Sequence, residues 1–372
     1  MNISLLEKGG KLKAAILAGG FATRLRPLSC TRPKILFPIV NKPLLEWTFE
    51  RLSKNNIKEV IMAVNYQTEI AIKQHKIKKY GLKISYSRDP LRKPLGTGGP
   101  IKKAEKQIGH DSPFLVLNGD VFADVNYTEI LKLHEKTDAV ATIALHKVED
   151  PSRYGVVELT EDNRIKRFIE KPPRKETPTN LINAGAYALS PKIFEYIPHG
   201  RAVSMEREVF PKLAEKGMLY GYVHEGLWMD IGKPEDYLKI NKILLDSFFL
   251  QRKLKVKSGV EVKKPVFFHK VSFGEKAVIG PYAILGQNVT VGKGVCIQNS
   301  VILPNTEISN FAFIKGAIVG EGAFIGKGAK ISEGCILGDH TRIGDNVSLG
   351  KGVLICPAKE VSEHIQENRC II

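Results

Sequence analysis

The first chemical feature of the sequence is a glycine pair followed by basic residues. Gly19 and Gly20 come directly after an apolar run, and Arg24 and Lys34 follow them. Glycines after a strand let the backbone approach a ligand and turn its N–H groups onto phosphates. A tight turn would account for the glycine pair alone. The cations within reach indicate a triphosphate site, because they would stabilise the charge that builds when the α-phosphorus is attacked.

Two aspartates farther along the chain could hold a magnesium ion. Asp120 follows the apolar run 114–117, and Asp230 lies in a short run that begins at Trp228. Open α/β sheets bind ligands at strand ends, and Mg²⁺ prefers a few carboxylates completed by phosphates and water. Either aspartate alone could be a turn or capping residue, whereas the pair favours a Mg²⁺ site. The nine histidines show no metal-ligand spacing.

The elements that would position these residues alternate between strand and helix over residues 11 to 250. This alternation predicts a Rossmann-like α/β domain with a mostly parallel sheet. The segment 234–256 predicts a further helix, opened by Pro234 with two acidic residues in its first turn. The predicted strands are Lys13–Leu17, Glu59–Val64, 114–117 and 139–145. The other predicted helices are 44–55, 68–80 and 127–136.

Beyond residue 270 the pattern changes to a six-residue period of aliphatic residues. Small residues, mostly glycine, often follow the aliphatic position, as in Ile325-Gly326. The period predicts a left-handed parallel β-helix of hexapeptide repeats, with each aliphatic residue pointing into a triangular coil. We therefore divide the chain into an α/β domain, 1–255, and a β-helix domain, 256–372. The fourteen in-phase positions are Ile279, Leu285, Val291, Ile297, Ile302, Ile308, Ile314, Val319, Ile325, Ile331, Leu337, Ile343, Leu349 and Ile355.

The composition excludes several classes of protein. The 372 residues carry a net charge of +17, spread over both halves. Without a groove-reading or base-stacking motif, this charge does not indicate nucleic-acid binding. It suits attraction of polyphosphates, and equally a generally basic surface. We find no apolar run of membrane-spanning length and no signal peptide, so we expect a cytoplasmic protein. Five cysteines without CxxC spacing favour free thiols.

Taken together, the motifs resemble those of the sugar-1-phosphate nucleotidylyltransferase family over essentially all of 13–240. The glycine segment 17–27, followed by Pro33-Lys34, looks like the family's signature. Segment 94–99 resembles its base-contacting loop. The resemblance implies an enzyme that transfers a nucleotidyl group from an NTP to a sugar 1-phosphate and releases pyrophosphate. The 1–255 domain would then be its catalytic domain.

Within this family, the sequence is most similar to the mannose-1-phosphate guanylyltransferases. That group also carries a left-handed β-helix at its C-terminus. The resemblance therefore implies GTP and mannose 1-phosphate as substrates, with Mg²⁺ as cofactor. The segments that carry it are 153–157, 206–211 and 228–232.

The resemblance also implies roles for individual residues. Taken alone, Lys171 would be a solvated charge, and Glu170 and Asn183 would be surface polar groups. The implied catalytic residues are Arg24, Lys34 and Lys171. The implied nucleotide-binding residues are Leu17, Ala18, Gly19, Gly20, Thr23, Arg24, Gly96 and Thr97. The implied sugar-phosphate-binding residues are Gly155, Glu170, Lys171 and Asn183, and the implied metal ligands are Asp120 and Asp230.

Other interpretations stay open. The substrates could be those of a glucose-1-phosphate uridylyl- or thymidylyltransferase, or of an N-acetylglucosamine-1-phosphate uridylyltransferase. Added acetyl transfer would need a histidine between β-helix coils, where only His340 lies. The chain could instead be a non-catalytic regulatory subunit, a class that typically has eroded loop and metal motifs. Lys93, preceded by Arg92, stands directly before Pro94, at a position that is acidic in many relatives, and this difference bears on the choice of base.

A β-helix also predicts an assembly. Its flat faces and coil end need capping or burial, so we expect a homo-oligomer with the β-helix in the interface. The tail 357–372 could cap the last coil or contact a partner subunit.

Overall fold

A computed structural model describes residues 12–20, 22–90, 94–249, 256 and 258–372. By its internal contacts the chain divides into two compact units. The first unit consists of the residues up to 20 and Leu45–Asp230, and the second consists of residues 22 to 44 and Ile231–Ile372. The predicted boundary between 255 and 256 stays a prediction, because residue 255 lies outside the described residues.

The strands and helices up to residue 249 follow the alternation of the sequence. The strands are β1 (Lys13–Leu17), β2 (Pro38–Ile39), β3 (Lys42–Pro43), β4 (Glu59–Val64), β5 (Lys83–Arg88), β6 (Phe114–Asn118), β7 (Val121–Ala123), β8 (Ala141–Lys147), β9 (Gly155–Leu159), β10 (Ile165–Glu170), β11 (Leu181–Leu189), β12 (Leu219–Val223) and β13 (Trp228–Asp230). The α-helices are α1 (Leu44–Lys54), α2 (Tyr66–Gln74), α3 (Gly99–Lys103), α4 (Glu105–Ile108), α5 (Tyr127–Thr137), α6 (Phe210–Glu215) and α7 (Pro234–Leu244). The 3₁₀ helices are Thr23–Leu25, Leu28–Cys30, Lys34–Leu36, Pro151–Arg153, Arg174–Glu176 and Pro191–Tyr196, and the π-helices are Met205–Val209 and Leu245–Phe249.

The first unit is built on a nine-stranded sheet, which confirms the predicted α/β architecture. Strands β6, β1, β4 and β5 are parallel neighbours in that order. On the other side of β6, strand β11 runs antiparallel and pairs with β8 and β9, so the sheet is mixed. Strand β1 is buried at Ala14, Ala15 and Ile16, as expected of a strand covered on both faces. The carboxyl ends of β1, β4 and β6 therefore lie at one edge.

Several predicted helices have different ends in the structure. Helices α1 and α5 each differ by one residue at their C-terminal end. The predicted helix 234–256 is observed as α7, continued by the π-helix Leu245–Phe249; residues 250–255 lie outside the described residues, and residue 256 is not helical.

Helix α2 begins at Tyr66, before the predicted residue 68, because the Asn65 side chain accepts a hydrogen bond from the Thr68 N–H at 2.8 Å and caps the helix. It ends at Gln74, before the predicted residue 80. Lys76 adopts a left-handed conformation with φ 45°, which helices do not continue through. No helix among the described residues is long and apolar enough to cross a membrane.

The C-terminal part of the second unit consists of short parallel strands. They form three sheets of six, seven and six strands, and every third strand along the chain belongs to the same sheet up to β31. The strands are β14 (Glu261–Val262), β15 (Val266–Phe268), β16 (Ser272–Phe273), β17 (Val278–Ile279), β18 (Ala283–Leu285), β19 (Thr290–Val291), β20 (Cys296–Gln298), β21 (Val301–Ile302), β22 (Glu307–Ile308), β23 (Phe313–Lys315), β24 (Ile318–Val319), β25 (Phe324–Ile325), β26 (Lys330–Ile331), β27 (Ile336–Leu337), β28 (Arg342–Ile343), β29 (Ser348–Leu349), β30 (Leu354–Ile355), β31 (Glu360–Val361) and β32 (Cys370–Ile371). This arrangement is consistent with the predicted left-handed β-helix.

The hexapeptide positions form the core of this β-helix. All fourteen predicted aliphatic residues are buried in a single hydrophobic cluster. Where the sequence steps by five, from Ile297 to Ile302, the chain passes from a strand of one sheet to a strand of the next. The glycine after the aliphatic position has a steric reason: a Cβ at Gly286 would lie 2.5 Å from the Pro304 backbone nitrogen of the next coil. The tail continues the coils through β31 and β32.

We predict that Ile331→Ala destabilises the β-helix by about 2–5 kcal/mol, because it removes buried methyl groups and leaves a cavity. Ile331 is completely buried, whereas its neighbour Lys330 in β26 is exposed. Urea unfolding monitored by circular dichroism would measure the effect, with Lys330→Ala as the matched control. Equal effects of the two substitutions would contradict the inward orientation of the hexapeptide residue.

Candidate active site

The loop after β1 is fixed by the ends of the two neighbouring strands. The Ala18 N–H donates to the Ala63 carbonyl at 2.9 Å, and the Gly119 N–H donates to the Leu17 carbonyl at 2.9 Å. The Asn65 side-chain amide donates to the Gly19 carbonyl at 3.1 Å. The predicted nucleotide-binding residues from Leu17 to Gly20 therefore lie on a backbone that is held from both sides.

Asp89, which belongs to none of the sequence motifs, lies beside this loop. A Cβ on Gly19 would come within 3.1 Å of Asp89 Oδ2, so this carboxylate approaches the glycine backbone closely. The other oxygen, Oδ1, is buried and has no hydrogen-bond partner among the described residues. Burial raises the pKa of Asp89 to about 6, against the opposing effect of Lys103. A buried acceptor without a partner is characteristic of a functional site.

The two predicted metal ligands are brought together by a short antiparallel strand pair. Asp230, the last residue of β13, is opposite Val121 of β7, and Asp120 directly precedes Val121. The Trp228 indole N–H donates to the Ala184 carbonyl at 2.9 Å and is buried, which fixes β13 against β11. No group of three or more potential ligand side chains occurs among the described residues. Two neighbouring carboxylates suit Mg²⁺, which takes its remaining ligands from phosphates and water.

The predicted base-contacting loop is fixed by its glycine and its threonine. Gly96 has φ 72°, and a Cβ there would lie 2.3 Å from the Val203 carbonyl oxygen, so only glycine fits. The Thr97 hydroxyl donates to Glu206 Oε2 at 2.6 Å and accepts from the Met205 N–H at 2.9 Å. Thr97 is therefore hydrogen-bonded to Glu206, a carboxylate of the motif 206–211 for which the sequence predicted no individual role.

Three of the predicted sugar-phosphate residues lie together on the β9–β10 hairpin. Glu170 pairs with Gly155 across the hairpin, and a Cβ on Gly155 would meet Phe168 at 2.5 Å. Burial raises the pKa of Glu170, Lys171 opposes this rise and Glu206 adds to it. Lys171 follows β10 with a φ of 51°. Its exposed ammonium is 3.4 Å from Glu170 Oε1, so the pair presents both charges at the strand end.

The fourth predicted sugar residue, Asn183, belongs to a partly buried hydrogen-bond network around the buried Tyr187. Its amide donates to the Tyr187 hydroxyl at 3.0 Å, and its Oδ1 accepts from the Gly185 N–H at 2.9 Å. Asn118, at the end of β6, also donates to Tyr187 at 3.5 Å. Burial raises the pKa of Tyr187 well above its usual value, so this hydroxyl stays neutral and fixes both amides.

The remaining predicted residues lie in the second unit. Thr23 and Arg24 are exposed in the 3₁₀ helix Thr23–Leu25, which begins after Ala22 in a left-handed conformation. Lys34 is the first residue of the 3₁₀ helix Lys34–Leu36 and is buried. Arg92 and Lys93 lie outside the described residues.

His340, the histidine considered for acetyl transfer, is exposed on the β-helix. It has a left-handed φ of 60°. It packs over Gly322 of the preceding coil, where a Cβ would meet its Nδ1 at 2.6 Å. The contact therefore gives His340 a packing role within the β-helix.

The first unit thus gathers most of the predicted site at the carboxyl edge of its sheet. Two family models match the chain. Nucleotidyl transferase matches residues 13–247, and the GMPPB C-terminal domain matches residues 256–371. The chain belongs to the nucleotidyl transferase family.

Individual relatives of this nucleotidyl transferase agree with the family models. It is 43% identical to a mannose-1-phosphate guanyltransferase of Yarrowia lipolytica over 63% of its own length and 65% of that protein. It is 40% identical to a probable mannose-1-phosphate guanylyltransferase of Oryza sativa, with 68% and 70% covered. The crystal structure of HddC from Yersinia pseudotuberculosis complexed with GMP-PN matches 63% of this chain and 99% of HddC, with 32% identity and a TM-score of 0.53.

We predict that Asp89→Asn stabilises this nucleotidyl transferase in a pH-dependent manner. The pKa of Asp89 lies at about 6 in the folded chain, above its ordinary value of 3.8. The folded state therefore binds more protons between these values, and stability falls as pH rises through them. After allowance for partial solvent exposure, the gain on removing the charge should be about 1–2 kcal/mol at about pH 8 and near zero at about pH 4.

Urea unfolding at both pH values measures this difference. Asp111→Asn, at an exposed carboxyl group, is the matched control and should show no comparable pH-dependent gain. An equal gain for Asp89→Asn at both pH values would contradict the raised pKa.

Proposed function

We propose that this protein transfers GMP from GTP to mannose 1-phosphate, giving GDP-mannose and pyrophosphate. The observation that carries the reaction class is the adjacency of Asp230, at the end of β13, to Asp120, which directly precedes the paired strand β7. Asp120 follows β6, whose carboxyl end lies at the same sheet edge as the Gly19 loop after β1. The choice of substrates is supported by the relatives named mannose-1-phosphate guanylyltransferases. The alignment with the Yarrowia protein covers just under two thirds of that protein.

The reaction needs no protein nucleophile. An oxygen of mannose 1-phosphate attacks the α-phosphorus of GTP, and the bond from that phosphorus to the β-phosphate oxygen breaks as pyrophosphate leaves. Because the attacking group is already an anion, catalysis consists of positioning and charge stabilisation. We assign Arg24 and Lys34 to the triphosphate, together with the backbone of the Gly19–Gly20 loop and Thr23. Lys171 binds the sugar phosphate and orients it for in-line attack.

Asp120 and Asp230 are the residues that would hold Mg²⁺. When bound, the ion supplies positive charge that neutralises the phosphate oxygens and lowers the repulsion against the incoming anion. Asp230 ends β13, and Asp120 lies in the turn that directly precedes β7, the partner strand of β13. Trp228 fixes β13 against β11, so the backbone at Asp230 is held in place before substrate binds.

The sugar hydroxyls would bind to Glu170 and Asn183. Glu170 is half-buried beside Gly155, and a carboxylate there can accept hydrogen bonds from two hydroxyls. Asn183 is held by Tyr187 and Gly185, so its orientation is fixed. Fixed polar groups of this kind determine which stereoisomer a site accepts.

Asp89 supports guanine as the base. Guanine presents two adjacent donors, its N1–H and its 2-amino group, and a carboxylate can accept both. Uracil and thymine present a single N–H between two carbonyl acceptors, which a carboxylate would repel. The Asp89 carboxylate, whose Oδ2 lies close to the Gly19 loop and whose Oδ1 has no hydrogen-bond partner among the described residues, suits the first pattern. Gly96 and Thr97 would contribute further base contacts.

The test of this function is pyrophosphate release by the purified protein with Mg²⁺. We expect release to require both substrates and to be fastest with GTP and mannose 1-phosphate, when GTP, UTP, dTTP, ATP and CTP are crossed with mannose, glucose and N-acetylglucosamine 1-phosphates. Pyrophosphate release should be slower with ITP, which lacks the 2-amino group, than with GTP. The ratio of the two rates should be closer to one in Asp89→Asn than in the wild type. A best pair with UTP or dTTP would contradict the base assignment, and no release from any pair would favour a regulatory subunit.

We predict that Asp120→Asn lowers turnover by about 10²-fold or more, because the amide cannot supply the charge that holds the cation. Mn²⁺ binding in the presence of nucleotide, followed by electron paramagnetic resonance, should weaken in parallel. Asp111→Asn is the control for a lost surface carboxylate. Full activity and full Mn²⁺ affinity in a folded Asp120→Asn protein would exclude the metal assignment.

The homo-oligomer with the β-helix in its interface and the cytoplasmic location remain predictions. The same holds for a capping role of the tail 357–372. Sedimentation of the purified protein would determine the oligomeric state.

A further inference from the structure

A buried arginine joins the loop that carries Arg24 and Lys34 to the β-helix within the second unit. Arg32 is only 8% exposed, and its Nη2 lies 2.7 Å from Glu321 Oε2 and 2.9 Å from Asp339 Oδ2. Both carboxylates belong to the β-helix, where they follow β24 and β27. One guanidinium nitrogen is therefore shared between two adjacent coils.

The acceptor side of this ion pair is fixed by the β-helix backbone. Asp339 is 6% exposed, and its Oδ1 accepts from the Glu321 N–H at 2.8 Å. Its Oδ2 also accepts from the Thr31 hydroxyl at 2.6 Å, so both oxygens are used. Burial alone would lower the pKa of Arg32, but the two carboxylates outweigh burial and raise it. Removal of Arg32 would leave the buried Asp339 carboxylate without its counter-ion, and removal of Asp339 would leave the buried guanidinium with only the partly exposed Glu321.

The C-terminal end of the same segment is held by three further hydrogen bonds. The Asn41 amide donates to the Leu285 carbonyl of the β-helix at 2.6 Å. The Tyr237 hydroxyl of α7 donates to the Pro38 carbonyl at 2.6 Å, and Asn241 of α7 accepts from the Val40 N–H at 2.8 Å. The segment 31–41 is therefore attached at both ends to elements C-terminal to residue 230.

We propose that Arg32, Asp339 and Glu321 position the phosphate-binding cations. This inference rests on the proposed function, because it takes Arg24 and Lys34 as the groups that contact the triphosphate. Lys34 is two residues from Arg32, and Arg24 is eight residues away. A loop of 3₁₀ helices has few internal hydrogen bonds, so its geometry depends on external attachments. The β-helix then contributes to catalysis through Arg32, a positioning residue that does not touch substrate.

The decisive variant is Asp339→Asn, which keeps side-chain size and can keep the bond to Thr31 but removes the charge. We expect kcat with GTP and mannose 1-phosphate to fall about 10²-fold, as for a displaced catalytic group. KM for mannose 1-phosphate should change less than about twofold, because the residues assigned to the sugar lie outside this segment. Arg32→Lys keeps the charge but loses the planar guanidinium with its several N–H donors. Its kcat should lie between those of the wild type and Asp339→Asn.

A matched control removes an ion pair from the same β-helix without touching the segment. Lys315 and Glu333 form an exposed pair at 2.9 Å, and Glu333→Gln should leave kcat unchanged. A purely structural role for Asp339 would lower the unfolding temperature but would leave kcat intact well below it. Arg32→Met combined with Asp339→Asn should lose no more activity than the worse single variant, because both act through one contact.

Nucleotide binding separates this inference from the proposed function. Affinity for a non-hydrolysable GTP analogue with Mg²⁺, measured by calorimetry, should weaken about tenfold in Asp339→Asn and not in Glu333→Gln. If wild type binds the analogue without turnover, the proposed reaction fails and the affinity comparison still decides the role of Arg32. Unchanged affinity in a folded Asp339→Asn or Arg32→Lys protein would overturn the positioning role.

Discussion

Parallel pairing of β1 with β4 and β6 is the constraint on which the candidate site depends. Parallel strands end at the same edge, so the loops that follow them lie close together. The Gly19 carbonyl then reaches Asn65, and the Gly119 N–H reaches Leu17. Backbone hydrogen bonds between the strands therefore position the loop ends, and the Asn65 side chain adds a further hydrogen bond to the Gly19 carbonyl.

Much of this arrangement was predictable from the sequence because it is encoded by period or by adjacency. The ends of β1 and β4 were predicted correctly, and the hexapeptide core was predicted residue by residue, because each inward position repeats one constraint. The end of α2 was not, since the left-handed turn at Lys76 has no apolar signal. Asp89 was also missed. Its significance depends on closeness to Gly19 seventy residues away, and only its place before a proline at a strand end could have suggested it.

The two parts of the chain use backbone pairing in opposite ways. In the nine-stranded sheet, strands with different neighbours leave varied loops at one edge, and those loops carry the proposed chemistry. In the β-helix, each strand pairs with its counterpart one coil away, so every coil repeats the last and its surface can present side chains in rows. Glu321 and Asp339 form such a row, and Arg32 binds both of them. Of the two carboxylates that Arg32 contacts, Asp339 is buried and Glu321 is partly buried, although both lie on the outside of a repeating structure.

Glu321 and Asp339 are eighteen residues apart, which is one coil, and the strands before them pair in register, Val319 with Leu337. The separation of the two carboxylates therefore follows the spacing of paired strands, about 4.8 Å. The hydrogen bonds between coils therefore fix the distance between Glu321 and Asp339. A whole coil added after residue 355 would leave this distance unchanged. A single residue inserted between the two carboxylates would change the register of one coil against the next and move apart the acceptors that Arg32 shares.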